Sequence, residues 1–393
     1  MTKKAKIGVN GWFFCRPFTG IGRYCINVFS ELARSYPDLE FHVAIPGRLD
    51  EETDKSLRYQ DNLKFELISE NMALKSLHPG LSKVDWETSK LKTFFRSKGV
   101  NLVHLPYPAL YRRIKGVPVV MTVHDAIPWT DERYRRRGPL SAWYNHFSLR
   151  GAEQADFLLT VSNSSKADIM SLKRFDYRKL EVVYNASEFN DVPSMPEENT
   201  KRLLEKIGLK SDDQFLFYMG GFDERKNVGR LVEIFLQEIA PKSELKLVLG
   251  GGKVLDNNLF REIETHSPRL VRTGFLSNGE LIMLYRRAWA FITLTTREGF
   301  DLSLLESITL GCPAVVSDIE VHREIASDTP LFLPLSDSNA RIAEKILSLY
   351  NDIDVYRGLE AKTMEFAVRA KEKYSWSKTA RQIGEIYLKL LQC

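Results

Sequence analysis

A chain of 393 residues, 44% hydrophobic and 27% charged, exceeds what one hydrophobic core usually organises and reads as a soluble protein of two domains. No apolar run is long enough to span a bilayer, and the opening MTKKAKIGVNGWFF enters a strand pattern directly, so neither secretion nor membrane spanning is expected. The net charge of +5 is small for this length, and Cys15, Cys25, Cys312 and Cys393 lack metal-ligand spacing, which leaves reduced thiols in the cytoplasm as the simplest account.

In chain order, Lys6-Ile7-Gly8-Val9 is the first buried strand. Thr19-Gly20-Ile21-Gly22-Arg23-Tyr24 follows, before a helical run holding Ile26, Val28, Phe29 and Leu32. Glycines ahead of a helix permit close backbone approach and leave free amides for an anion, although the spacing is not that of a dinucleotide fingerprint. The apolar segments 41–45, 102–105, 119–123 and 157–161, separated by helical patterns, predict a parallel sheet with crossovers. At the carboxyl end of the 119–123 strand stand His124 and Asp125. An imidazole there can donate to a hydroxyl or a developing oxyanion while backbone or carboxylate holds its other nitrogen; taken alone, a structural histidine is the simpler reading. Asp125 reads as a local structural or acceptor-side residue. Tyr111-Arg112-Arg113-Ile114-Lys115 and Arg133-Tyr134-Arg135-Arg136-Arg137 set seven cations beside tyrosines. They could meet anionic lipid headgroups or a phosphate-bearing acceptor, or form a solvated face. No recognition module or aromatic platform points to nucleic acid.

The polar, proline-bearing stretch 192–199 is the expected linker, which sets domains at 1–192 and 193–375. A second strand series begins with 215–219 and 245–249. Gly220-Gly221-Phe222-Asp223-Glu224-Arg225-Lys226-Asn227 follows the first of these. Arg225 and Lys226 could neutralise a departing diphosphate, and a basic pair on an ordinary helix start is the alternative. The most informative stretch is 291–318, FITLTTREGFDLSLLESITLGCPAVVSD. Its strand delivers Glu298 at the carboxyl end, Gly299 supplies a bend, and Leu302, Leu304, Leu305 and Ile308 form an apolar helical face with Glu306 about two turns in. Strand end and helix amino end make the crevice of an open α/β sheet, where amides receive phosphate or polyol oxygens. Ser317–Glu324 offers amides to that crevice, with side chains expected to be structural. Asp352-Ile353-Asp354 lies at a helix boundary and suggests a cap or surface role rather than a metal site. Tyr374-Ser375-Trp376-Ser377 then precedes a periodic helix with Ile383, Ile386, Tyr387, Leu390 and Leu391.

The 291–318 stretch resembles the glutamate-x7-glutamate signature of retaining glycosyltransferases of family 4. That resemblance implies an α/β chain of the GT-B class, with two doubly wound Rossmann-like domains facing a central cleft. It implies too that a terminal helix, about 376–393, crosses back to complete the first domain. It further implies that Glu298 contacts donor-sugar hydroxyls and Glu306 the ribose, with Gly299, Phe300, Asp301 and Leu302 between them. Gly20, Gly22 and Gly221 would line the approach to the phosphates, Arg225 and Lys226 would grip them, and His124 would steady the sugar. Asp301 and Ser303 stand where Gly and Pro are common, so the donor is the open choice. The implied reaction moves a hexose, with retention, from a nucleotide diphosphate sugar to a saccharide or lipid-linked glycan acceptor. No tightly bound cofactor and no metal are called for. Similarity to bacterial mannosyltransferases of surface-polysaccharide biosynthesis favours GDP-mannose over UDP-glucose or UDP-galactose. The expected place is the cytoplasm, with reversible contact to the anionic inner leaflet. A nucleotide-sugar epimerase or isomerase, and a non-catalytic nucleotide-sugar-binding module, are the alternatives.

Overall fold

A computed structural model describes residues 4–57, 60–135, 138–190, 192–193, 195–251 and 268–392. Arg136, Arg137 and Cys393, named above, and Ser194 of the 192–199 stretch lie outside the described residues, as does the side chain of Arg135. The chain divides into two compact units, Met1–Asn185 with Tyr374–Cys393, and Ala186–Lys373.

In the first unit the apolar runs become β1 (Ala5–Asn10), β2 (Leu39–Ile45), β3 (Leu63–Leu67), β4 (Leu102–Leu105), β5 (Val119–Thr122), β6 (Phe157–Thr160) and β7 (Leu180–Val182). They form a parallel sheet in the order β3-β2-β1-β4-β5-β6-β7. Helices cover such a sheet on both faces, so its central strands are apolar throughout rather than alternating. Ile7, Val9, Val43, Val103, Leu105 and Met121 are all buried. The strand order reverses between β1 and β4, the switch point at which the chain leaves opposite faces of the sheet and opens a crevice beyond the carboxyl ends.

The helix Gly20–Ser35 starts where the Thr19 hydroxyl accepts from the Gly22 amide, and it buries Tyr24, Cys25, Val28, Phe29 and Leu32. Against it packs the terminal helix Trp376–Leu391, capped by Ser375. Gly384 permits this approach, because a Cβ there would sit 2.1 Å from the Tyr36 ring. Ile383, Ile386 and Tyr387 face inward, as their period predicts, and the terminal segment completes the first unit.

The second unit holds β8 (Phe215–Met219), β9 (Lys246–Gly250), β10 (Leu270–Gly274), β11 (Ala290–Thr293), β12 (Ala314–Ser317) and β13 (Leu331–Leu333). Its parallel order is β10-β9-β8-β11-β12-β13, with the switch between β8 and β11. Val192 and Pro193 of the expected linker accept hydrogen bonds from the Arg286 guanidinium, at 2.6 and 2.7 Å. Asp352 caps the helix Ile353–Lys373 by accepting from the amides of Asp354 and Val355. Among the described residues no helix is long and apolar enough to cross a membrane.

Candidate active site

Because β11 lies beside β8, the loop after one is delivered to the loop after the other. Residues 295–301 therefore meet residues 220–227, although about 70 positions separate them. The Arg225 carbonyl accepts from the Thr296 amide at 2.8 Å, and the Arg225 guanidinium donates to the Arg297 carbonyl at 3.0 Å. These bonds fix the backbone on which Glu298 stands.

Glu298 Oε1 lies 2.7 Å from Arg225 Nη1, 2.6 Å from Lys226 Nζ and 2.9 Å from the Thr295 hydroxyl. The Glu298 side chain is 8% exposed and that of Lys226 13%, so the charges interact through protein rather than bulk water. Burial works to raise the Glu298 carboxyl, but Lys226 and then Arg225 outweigh it and hold the group below the usual range. Burial likewise opposes the Lys226 charge, and Glu298 followed by Asp301 overcomes it, so its ammonium is held more firmly than usual. The result is an anionic acceptor flanked by two cations at the carboxyl end of a parallel sheet. Such a group can accept from hydroxyls while its neighbours attract phosphate oxygens.

Asp301 takes the left-handed conformation, φ 68°, which glycine adopts without strain and aspartate adopts better than most residues. Its carboxylate caps the helix Leu302–Thr309 through the Leu304 amide and meets His322 Nε2 at 3.1 Å. The Asp301 side chain is therefore buried and turned to His322. Glu306 is fully buried within the same helix, Phe300 is buried ahead of it, and Leu302 is half-buried. Gly221 accepts from the Tyr218 hydroxyl at 2.5 Å, which fixes the turn leading to Arg225.

Reading along the sequence missed three contributors. Thr295 stands only three residues before Glu298 and His322 lies 21 beyond Asp301, and no local pattern marks either. Gly250-Gly251 was legible in principle, since it closes β9 much as Gly220-Gly221 follows β8. Gly251 has φ +85°, and a Cβ on it would lie 2.7 Å from the Gly220 carbonyl, so the two glycine turns pack backbone to backbone.

His124, Gly20 and Gly22 belong to the first unit. Gly22 has a different reason from the one expected: its Cβ would lie 2.0 Å from the Arg16 carbonyl, so it admits the chain's own loop, whereas Gly20 opens onto free space. His124 also needs a correction. Its Nε2 donates to the Pro106 carbonyl at 2.9 Å, so in the neutral ring Nδ1 is an acceptor and cannot donate to a hydroxyl. Burial lowers this imidazole to about 4. The Tyr24 ring meets it edge-on at 4.8 Å. Behind it runs a buried relay: Tyr24 hydroxyl to Thr122 Oγ1 at 3.0 Å, Thr122 to His104 Nε2 at 2.9 Å, and His104 Nδ1 to the Tyr387 hydroxyl of the terminal helix. Burial lowers His104 to about 3. Asp125 accepts from the Ile127 amide at 2.8 Å, a local turn contact.

Both histidines should make the protein acid-sensitive. Their folded values lie below the ordinary 6.5, so the unfolded chain binds the extra protons, and stability present above that value is lost as pH falls toward 4. Each contributes at most about 1.4 kcal/mol per pH unit in that window. Thermal midpoints between pH 7 and 4.5 should fall, and His124→Asn should flatten the fall relative to the wild type; identical slopes would contradict this.

A second polar cluster occupies the switch point of the first sheet. Asn10 Nδ2 donates to the Tyr107 hydroxyl at 2.9 Å, which donates to Glu87 at 2.7 Å. Glu87 also accepts from the Tyr144 hydroxyl at 3.0 Å and the Leu110 amide at 3.0 Å, and it pairs with Lys83 at 3.4 Å. The Lys83 ammonium lies 4.8 and 4.3 Å from the ring centres of Tyr107 and Tyr144.

Of the basic segments, Arg113 pairs with Asp156 and Arg133 with Asp131, while Arg112 and Lys115 are exposed.

Residues 18–188 match the family model described as Glycosyltransferase Family 4, and residues 199–365 match that described as Glycosyl transferases group 1. The chain is 26% identical over 388 residues to the O-antigen chain mannosyltransferase B of Escherichia coli, covering 94% of this chain and 96% of that one. Among solved structures it is similar to HepE of Anabaena, crystallised with UDP and glucose, at a TM-score of 0.72 and 15% identity over 98% of this chain and all of the other. It is also similar to WaaG, a glycosyltransferase involved in lipopolysaccharide biosynthesis, at a TM-score of 0.71 and 15% identity, with 97% and 99% of the two chains covered.

Proposed function

The chain belongs to the glycosyltransferases of family 4 and group 1, nucleotide-sugar-dependent enzymes of the GT-B fold, and from that premise we propose that it is a retaining hexosyltransferase using GDP-mannose. The observation that carries the donor site is the Glu298 carboxylate held by Arg225 and Lys226 at the switch point of the second sheet. The donor diphosphate would lie against Arg225 and Lys226, the hexose hydroxyls would be accepted by Glu298, and the ribose would reach Glu306. Mannose is favoured by the name of the Escherichia coli relative, which spans nearly the same length. A UDP-sugar is the second reading, favoured by HepE, solved with UDP and glucose.

In the proposed step the acceptor hydroxyl attacks the anomeric carbon on the face the diphosphate leaves. The new C–O bond forms as the bond to the phosphate oxygen breaks, and the hydroxyl proton passes to that oxygen. Arg225 and Lys226 stabilise the charge gathering on the diphosphate, and each such preorganised contact lowers the barrier by roughly 3 kcal/mol. His124 Nδ1 accepts from a sugar hydroxyl. No protein carboxylate is needed as nucleophile, and Glu298, paired with two cations, suits binding better than attack.

A panel of GDP-mannose, UDP-glucose, UDP-galactose and the free diphosphates, scored by thermal stabilisation, tests the donor. A ligand at 100 times its Kd should add about 2.7 kcal/mol, and GDP-mannose should exceed the UDP-sugars. Stabilisation by UDP-glucose alone would reverse the choice.

The acceptor is proposed to be a growing lipid-linked surface glycan, met by the first unit at the inner leaflet. With Arg113 and Arg133 engaged in ion pairs, Arg112 and Lys115 carry the attraction to anionic headgroups. At low salt the protein should sediment with anionic vesicles more than neutral ones, and Arg112→Ala with Lys115→Ala should reduce that preference. Equal sedimentation of the wild type with both vesicles would favour a saccharide acceptor in solution.

A further inference from the structure

We infer that His322 is a positioning residue for the donor: by holding the Asp301 carboxylate it leaves Lys226 to Glu298 and to the donor diphosphate. The inference rests on the donor site proposed above and adds a residue to it.

A non-glycine residue in the left-handed region is uncommon, and a buried carboxylate there is costly without partners. Asp301 has both features. Its partners are the Leu304 amide at 3.2 Å and His322 Nε2 at 3.1 Å. His322 is itself fully buried, and its Nδ1 lies 2.8 Å from the Ser317 carbonyl. Both ring nitrogens thus face acceptors, and Nε2 is placed to donate to Asp301.

The same residues reach Glu298 by a second route. The Ser317 hydroxyl donates to the Thr295 carbonyl at 2.6 Å, and the Thr295 hydroxyl lies 2.9 Å from Glu298 Oε1. The end of β12 and the turn that follows it therefore brace the whole loop 295–301, and His322 is the point at which the brace meets a charge.

The consequence is electrostatic. Lys226 has two carboxylates acting on it, Glu298 in direct contact and Asp301 through space. Only one is proposed to touch the sugar. With His322 present, Asp301 is satisfied elsewhere and Lys226 stays on Glu298, aimed at the phosphates. Without His322, Asp301 is left with the Leu304 amide and an unbalanced charge, and the nearby cation that can answer it is Lys226. The donor diphosphate then competes with Asp301 for the same ammonium.

The test uses calorimetric titration of the full chain with GDP and with UDP. His322→Ala should weaken binding of the nucleotide the wild type prefers by about tenfold, the scale of one charge-assisted contact. His322→Gln, whose amide can still donate to Asp301, should keep most of the affinity. Asp301→Gly combined with His322→Ala should bind more tightly than His322→Ala alone, because the competing carboxylate is gone and glycine takes the left-handed turn freely. Wild-type affinity in His322→Ala would overturn the inference. So would a double variant as weak as the single one, which would make His322 a packing residue only. If His322→Ala does not fold, His322→Phe, which fills the same space and cannot donate to Asp301, takes its place under the same two criteria. A wild type that binds neither nucleotide overturns the donor site beneath the inference, an outcome distinct from a wild type that binds and a His322→Ala that binds equally well.

Discussion

Glu298→Ala is expected to lower the rate of sugar transfer by about two to three orders of magnitude, while Lys226→Ala weakens donor binding by roughly 1 to 3 kcal/mol. The reasons differ. Glu298 is proposed to touch the sugar, so its loss removes contacts made to the transferring group and also leaves Arg225 and Lys226 without the carboxylate that lies 2.7 and 2.6 Å away. Arg225, still paired with Asp223 at 3.2 Å, and Lys226, released from its direct carboxylate partner, should hold a free nucleoside diphosphate at least as well as before. Glu298→Ala should therefore separate the two ligands: intact or tighter binding of diphosphate, and poor turnover of the sugar nucleotide. Lys226→Ala should instead weaken both. Because the residues are in contact, the double variant should depart from additivity, with a coupling of about 0.5 to 3 kcal/mol. Steady-state kinetics with the donor selected by thermal stabilisation, beside diphosphate titration, reads both effects. Turnover of Glu298→Ala within about twofold of wild type would remove Glu298 from the sugar site.

The unequal legibility of the site follows from how its parts are encoded. Strand ends were plain, because buried parallel strands such as Phe291–Thr293 are continuous apolar runs and the residue that ends one is conspicuous. Glu298 stands in the turn that follows such a strand. Its contact with Lys226 was not plain, since the ion pair exists only because β8 and β11 became neighbours, and sheet order is not written in either segment. Asp301 was noticed for standing where glycine is common, but its partner lies 21 residues on in a segment whose side chains read as structural. The tautomer of His124 was likewise invisible, because it depends on the Pro106 carbonyl, which the β4–β5 pairing brings beside the end of β5. Glu87 gave no sequence signal, sitting in a helical stretch among other charges. Local chemistry shows which residues are able to act, and long-range pairing decides which of them act together.

Glu87 carries the other large expected effect, on stability rather than on donor chemistry. It is fully buried in a π-helical turn, Trp86–Lys90, and receives the hydroxyls of Tyr107 and Tyr144, the Leu110 amide and the Lys83 ammonium. A buried ion pair is weak evidence of net stabilisation, but removing one partner leaves the other charge and its donors desolvated, a loss of about 3 to 5 kcal/mol. Glu87→Ala should therefore lower the unfolding midpoint steeply, whereas Glu87→Gln keeps an acceptor for the tyrosines and should lose less. Lys83 is the key to separating charge from shape: Lys83→Met with Glu87→Gln removes both charges at similar volume and should recover much of the stability lost by Glu87→Ala. The cluster lies where β1 and β4 diverge, with Asn10 ending one strand and Tyr107 just beyond the other, so its collapse should disturb the surface proposed to receive the acceptor. Arg225, Lys226 and Glu306, proposed to hold the nucleotide, belong to the other unit, so affinity of the folded fraction for a free nucleoside diphosphate should not change. A Glu87→Ala variant with the wild-type midpoint would show that the buried pair contributes nothing to stability. A variant destabilised as expected but with weakened nucleotide binding would show instead that the cluster's influence reaches beyond its own unit.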